Sequence, residues 1–122
     1  MRLVKFMAVL ALVTIAAMAM AELNQFGVAD IQKVTFSDPM KIGQVVLPKG
    51  EYKVQHVMEG ENHIMIFTQQ KVANPAEARV KCQLVKLDNK AERTQLLYTQ
   101  DAGNARILQE IVFRGETAKH VF

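Results

Sequence analysis

Few residues in this chain are able to do chemistry. There are three histidines, His56, His63 and His120, and one cysteine, Cys82. Of the seven methionines, Met40, Met58 and Met65 lie beyond residue 21. His56-Val57-Met58 and His63-Ile64-Met65 flank a turn signal at 59–62. In an extended strand, residues i and i+2 share a face, so each His-x-Met presents an imidazole and a thioether together. Across a hairpin these four groups would approach one another, a donor set that suits copper. Cys82 and His120 sit on other expected strands and offer a second version. Two His, Cys and Met are the ligand types of a blue-copper centre, here without any blue-copper spacing. A plainer reading competes: Met58 and Met65 as packing groups, Cys82 as a small buried thiol in an apolar row, and the histidines as polar groups beside turns. The plainer reading is the expectation, so no residue is assigned as a metal ligand and no cofactor is called for.

Hydrolytic chemistry finds less support. There is no G-x-S-x-G, and the only serine, Ser37, lies in a turn beside Asp38. A cysteine nucleophile needs a base beside it. Cys82 has Lys81 and Gln83 as neighbours, and nothing in the sequence carries His63 or His120 to it. Glu59, Glu61, Glu77 and Glu116 fall in turns or short connections and read as solvated charges. With no glycine-rich phosphate loop and no C-x-x-C, the chain is expected not to be an enzyme.

The elements that must position these groups are strands. Val34 and Phe36 alternate with Lys33 and Thr35; Tyr52, Val54 and His56 with Lys53 and Gln55; Val80, Cys82 and Leu84 with Lys81 and Gln83. Thr94, Leu96 and Tyr98 continue the pattern, as do Ile111 and Phe113. Period-two alternation is the mark of half-buried antiparallel strands. Turn signals at 37–39, 47–50, 59–62, 87–90, 101–104 and 114–116 separate the runs. Residues 104–110 contain helix formers but run directly into Ile111-Val112-Phe113, which favours strand. Gly43 permits a tight turn, and Leu47, preceding Pro48, is held extended. The core is expected to contain Phe36, Val54, Phe67, Val80, Leu84, Leu96, Tyr98, Ile111 and Phe113. Residues 22–30 read as a loosely held lead-in.

Residues 1–21 carry the grammar of a secretory signal peptide: Arg2 and Lys5, an uncharged apolar stretch, then Ala19-Met20-Ala21 before Glu22. The apolar run is shorter than the roughly 20 residues of a spanning helix, and no later stretch is long enough, so no membrane span remains after cleavage. Without this leader, 13 of the 15 Lys and Arg remain against all 12 Asp and Glu, a net charge of +1 instead of +3. That balance argues against electrostatic nucleic-acid binding. One cysteine cannot form a disulfide within the chain.

Several landmarks carry a resemblance. They are Ile42-Gly43, Leu47-Pro48-Lys49-Gly50-Glu51-Tyr52-Lys53-Val54, Ile66-Phe67-Thr68-Gln69, and Leu108 through Gly115 with a terminal Val121-Phe122. Together they resemble small exported bacterial proteins of Acidobacteria type, built as a signal peptide and one β domain with an LPxGxY segment and an EIxFxG…F end. Lys49 stands where alanine is usual, at a turn position. The resemblance implies a fold and an export route and supplies no activity.

The expectation is therefore a signal peptide (1–21) and a single all-β domain (22–122). That domain should be an antiparallel β-sandwich or small barrel of about seven or eight strands. It is expected to be periplasmic or secreted, and to serve as a non-enzymatic binding or structural module for another exported macromolecule or a small apolar ligand. The alternative is a periplasmic protein binding copper or another metal through the His and Met of the 51–69 hairpin.

Overall fold

The computed structural model describes residues 22–122, so the signal-peptide reading of 1–21 lies outside the described residues. The described chain is all-β. Its strands are β1 (Ile31–Phe36), β2 (Met40–Ile42), β3 (Val45–Leu47), β4 (Gly50–Glu59), β5 (Asn62–Gln69), β6 (Glu77–Lys86), β7 (Gln95–Gln100), β8 (Arg106–Val112) and β9 (Ala118–Val121). Nine strands replace the expected seven or eight because β2 and β3 are separate three-residue strands about the Gly43-Gln44 turn. Gly43 has φ +60°, which glycine adopts without steric cost.

The strands form one path, β1-β4-β5-β6-β9-β8-β2-β3, with β7 attached to β8. The path is sandwich-like and does not close, so the barrel alternative falls away. The expectation of a wholly antiparallel sheet also needs correction: β2 runs parallel to β8, with Met40 opposite Arg106. Strand β6 is the hinge of the architecture. Its first part, through Cys82, pairs with β5, and its second part, from Gln83, pairs with β9. A ten-residue strand thus passes the sheet from one layer to the other.

Alternation puts the apolar face inside as expected. Val34, Phe36, Tyr52, Val54 and Phe67 are buried, as are Ile111 and Phe113 from the other layer. The Phe36 ring packs against Tyr52 and Phe67, at centroid separations of 5.2 and 6.3 Å. The Tyr52 hydroxyl, at the inner end of the strand after the Pro48 turn, donates to the Pro48 carbonyl at 2.6 Å. That bond satisfies the one polar atom of a ring that is otherwise core. Val80, Leu84 and Leu96 are only partly buried, packed against the edge of the cluster. Tyr98 is not core. The register skips Gln109 of β8 between the Leu97–Glu110 and Tyr98–Leu108 pairs, and Tyr98, on a strand paired only with β8, is 38% exposed, with the Arg106 guanidinium over its ring.

Residues 22–30 are not loosely held. Asn24 closes a turn by accepting from the Phe26 and Val28 amides, and Leu23 bridges Ala29. Val28 and Ala29 are buried. Gly27 sits at φ +79°, and a Cβ there would run into Thr117 Oγ1, so the turn can approach the start of β9 only with glycine.

These burial differences give a paired prediction. Phe113→Ala is expected to lower the unfolding free energy by about 3–5 kcal/mol, and Tyr98→Ala by about 1 kcal/mol or less. Chemical denaturation of both variants checks it. Equal losses would contradict the burial described for β7.

Candidate functional site

The polar groups gather at the junction of β4, β5, β6 and β9 with the lead-in. Register explains why. His56 is opposite Met65 and Met58 opposite His63 on the β4–β5 ladder. His63 is opposite Cys82 on the β5–β6 ladder, and Leu84 is opposite His120 on the β6–β9 ladder. Directly paired residues share a face of the sheet, and Cys82 and Leu84 share theirs by the strand period. All three histidines and the only cysteine therefore project to one side.

Within that set the side chains form two groups. His56 Nε2 and His63 Nδ1 are hydrogen-bonded at 2.9 Å, and the Phe26 ring meets His63 edge-on at 4.8 Å between centroids. In the second group, His120 Nδ1 lies 3.9 Å from Cys82 Sγ, and His120 Nε2 lies 2.9 Å from Glu116 Oε1. The other Glu116 oxygen accepts from the Ala29 amide and from Gln32 Nε2, each at 2.9 Å. The two groups adjoin where the His56 and His120 rings stand 6.1 Å apart. Among the described residues, no three His, Cys, Asp or Glu close around one point as a metal would require.

Glu116 is a correction to the sequence reading. It is fully buried, not a solvated turn charge. A carboxylate out of water is costly unless hydrogen bonds replace the lost solvation, and three donors do so here. The Asn24 turn and Gly27 bring the Ala29 amide to it, and Gln32 reaches it from β1. Glu59, Glu61 and Glu77 are exposed as expected. The four-residue separation of Glu116 and His120 carries no such signal in a β context, because the contact depends on the turn at 114–116 ending beneath the lead-in.

The methionines share the face of the histidines by register. Met65 is buried in the hydrophobic cluster, and Met58 is 40% exposed at the hairpin end. Cys82 is buried and free of disulfides. Burial pushes its thiol up to about 11, so it is protonated near neutral pH. Burial, then the neighbouring His120 and His63, hold the His56 pKa below the ordinary imidazole value, while Asp30 and Glu116 act in the opposite direction.

Outside this network lies an open cleft of about 750 Å³. It occupies the place where β6 changes partner. Leu84, Val121 and Phe122 supply its apolar surface, Cys82 and His63 border it, and Glu61 and Lys81 stand on its rim. Sequence reasoning missed this cleft because it arises from the end of β5 and the end of β9 meeting β6 at successive positions.

Comparison of the chain with protein-family models, with curated proteins and with solved structures gives no match.

The His56 environment has a consequence for stability. A histidine whose folded pKa lies below its unfolded value takes up more protons when unfolded. Its contribution to stability is present above the unfolded pKa of ~6.5 and is lost as pH falls through the folded value. The urea midpoint is therefore expected to drop as pH falls from about 7 to about 5. The drop should be smaller in His56→Gln. An identical pH profile in that variant would refute the assignment.

Proposed function

We propose that this chain is an exported, non-enzymatic β-sandwich-like binding domain, and that its ligand is a small amphipathic molecule held in the cleft at the β6 crossover. The observation that carries the reading is the cleft itself. A volume of about 750 Å³ suits a drug-sized ligand. Leu84, Val121 and Phe122 offer apolar contact, and Glu61 and Lys81 offer charges of both signs for orientation.

The buried network supports a binding role over catalysis. Among the described residues every buried side-chain nitrogen and oxygen has an internal partner. The thiol is protonated and poorly nucleophilic in this environment. Export rests on the leader grammar of residues 1–21, and no described helix is long and apolar enough to cross a membrane.

Two measurements test the two parts of this reading. Intact mass of the protein recovered from the medium or periplasm is expected to place the N-terminus at Glu22. A membrane-retained species keeping Met1 would overturn the export route. For the cleft, an anilinonaphthalene sulfonate probe is expected to bind the folded protein at one site. Leu84→Glu, at a partly buried position, should weaken that binding at least tenfold with the circular dichroism of the sheet retained. Unchanged affinity in this variant, or no binding by the wild type, would overturn the cleft as the ligand site.

A further inference from the structure

We propose that Cys82 and His120 form a binding site for a soft monovalent metal ion of the cuprous class, held between Sγ and Nδ1 and reached through the crossover cleft. This site is distinct from the His/Met set of the 51–69 hairpin and does not depend on the amphipathic ligand proposed above.

The first support is the state of the His120 ring. Its Nε2 faces the Glu116 carboxylate at 2.9 Å. A carboxylate only accepts, so Nε2 is the donor, and in the neutral ring Nδ1 is an acceptor facing the Cys82 thiol. That acceptor is buried with its residue, which is 1% exposed. Its only partner is the Cys82 sulfur at 3.9 Å, a long contact even for a thiol. A histidine whose far nitrogen is anchored by a carboxylate is the usual arrangement of a metal-ligating imidazole. Here the anchor is itself fixed by the Ala29 amide and Gln32.

Distance is the second support. With metal–sulfur and metal–imidazole bonds of about 2.3 and about 2.0 Å, donors in line with the ion stand about 4.3 Å apart, and donors at the tetrahedral angle about 3.5 Å apart. The observed 3.9 Å falls between, at an angle of about 130° for those bond lengths. One ion fits between the two atoms with little movement of either strand.

Donor number and type then select the ion. Zinc in a structural site takes four ligands, and no third His, Cys, Asp or Glu among the described residues is placed to join these two around one point. A cuprous ion accepts few ligands and prefers thiolate, with imidazole also suitable. Cys82 borders the cleft, so the donor pair lies next to solvent. On binding, the S–H bond breaks, the metal–sulfur bond forms, and one proton is released to solvent. The copper stays cuprous throughout, so no electron is transferred.

The test is titration of the whole purified protein with cuprous ion, kept reduced by ascorbate, against a chromophoric cuprous chelator. One ion per chain is expected. Cys82→Ser should lose at least tenfold in affinity, and His63→Ala should keep wild-type uptake. X-ray absorption of the copper-loaded wild type provides a readout that needs no variant, and one sulfur and one nitrogen neighbour are expected. Undiminished uptake by Cys82→Ser overturns the proposal. Loss of uptake in His63→Ala, or a copper neighbour shell without sulfur, also overturns it.

Discussion

A carboxylate with no exposure to water sits between the lead-in, β1 and β9, and much of the surrounding structure follows from keeping it solvated by protein. Glu116 has three donors drawn from three places: Ala29 in the lead-in, Gln32 on β1 and His120 on β9. Removing one partner from such a buried pair costs about 3–5 kcal/mol, because the remaining group is left in low dielectric without compensation. The lead-in is therefore not free to fray. The Asn24 turn, the left-handed Gly27 and the Thr117 amide donating to the Gly27 carbonyl all fix the segment that delivers the Ala29 amide. Glu116 and the Gly27–Thr117 bonds together tie residues 22–30 to the start of β9.

The second constraint is topological. Strand β6 must serve both layers, so β5 and β9 cannot both run along its full length. Where one partner stops and the other starts, the sheet opens into a cleft. Cys82 is the last residue of β6 paired with β5, and Gln83 the first paired with β9. The only thiol is consequently placed at a point where a core-facing residue also borders the solvent cleft. A shift of β6 by one residue would reverse its alternation and carry Cys82 to the outer face.

Local pattern made much of the fold legible. Period-two runs located β1, β4 and β6 and assigned their inner faces correctly at Val34, Phe36, Tyr52, Val54 and Cys82. They failed at Tyr98, because β7 pairs only with β8, and a position at the edge of a sheet leaves no mark in the alternation of one strand. The tight turn read at Gly43 is present, and the three-residue strands on either side of it bring the count to nine. Glu116 was illegible for a deeper reason. A glutamate in a Gly-Glu-Thr turn is solvated in most contexts, and only the return of residues 22–30 over that turn buries it. Asn24 and Gly27 were the available clue: an Asn-x-x-Gly spacing is turn chemistry, and an ordered turn at a chain end implies something for it to pack against.

The convergence of the histidines with Cys82 depended on two registers that no local pattern specifies. His63 meets Cys82 through the β5–β6 ladder, and His120 reaches the same face through the pairing of β6 with β9. Both registers are held by burial on that face, since a one-residue slip would carry Phe67 or His120 to the outer face. The structural and chemical roles of the network are then inseparable. The hydrogen bond that keeps Glu116 satisfied also fixes the proton of His120 on Nε2, and fixing it there directs the Nδ1 lone pair at the thiol. Fold stability thus orients the donor pair in advance, and any ion that binds it need not supply the energy of arranging it.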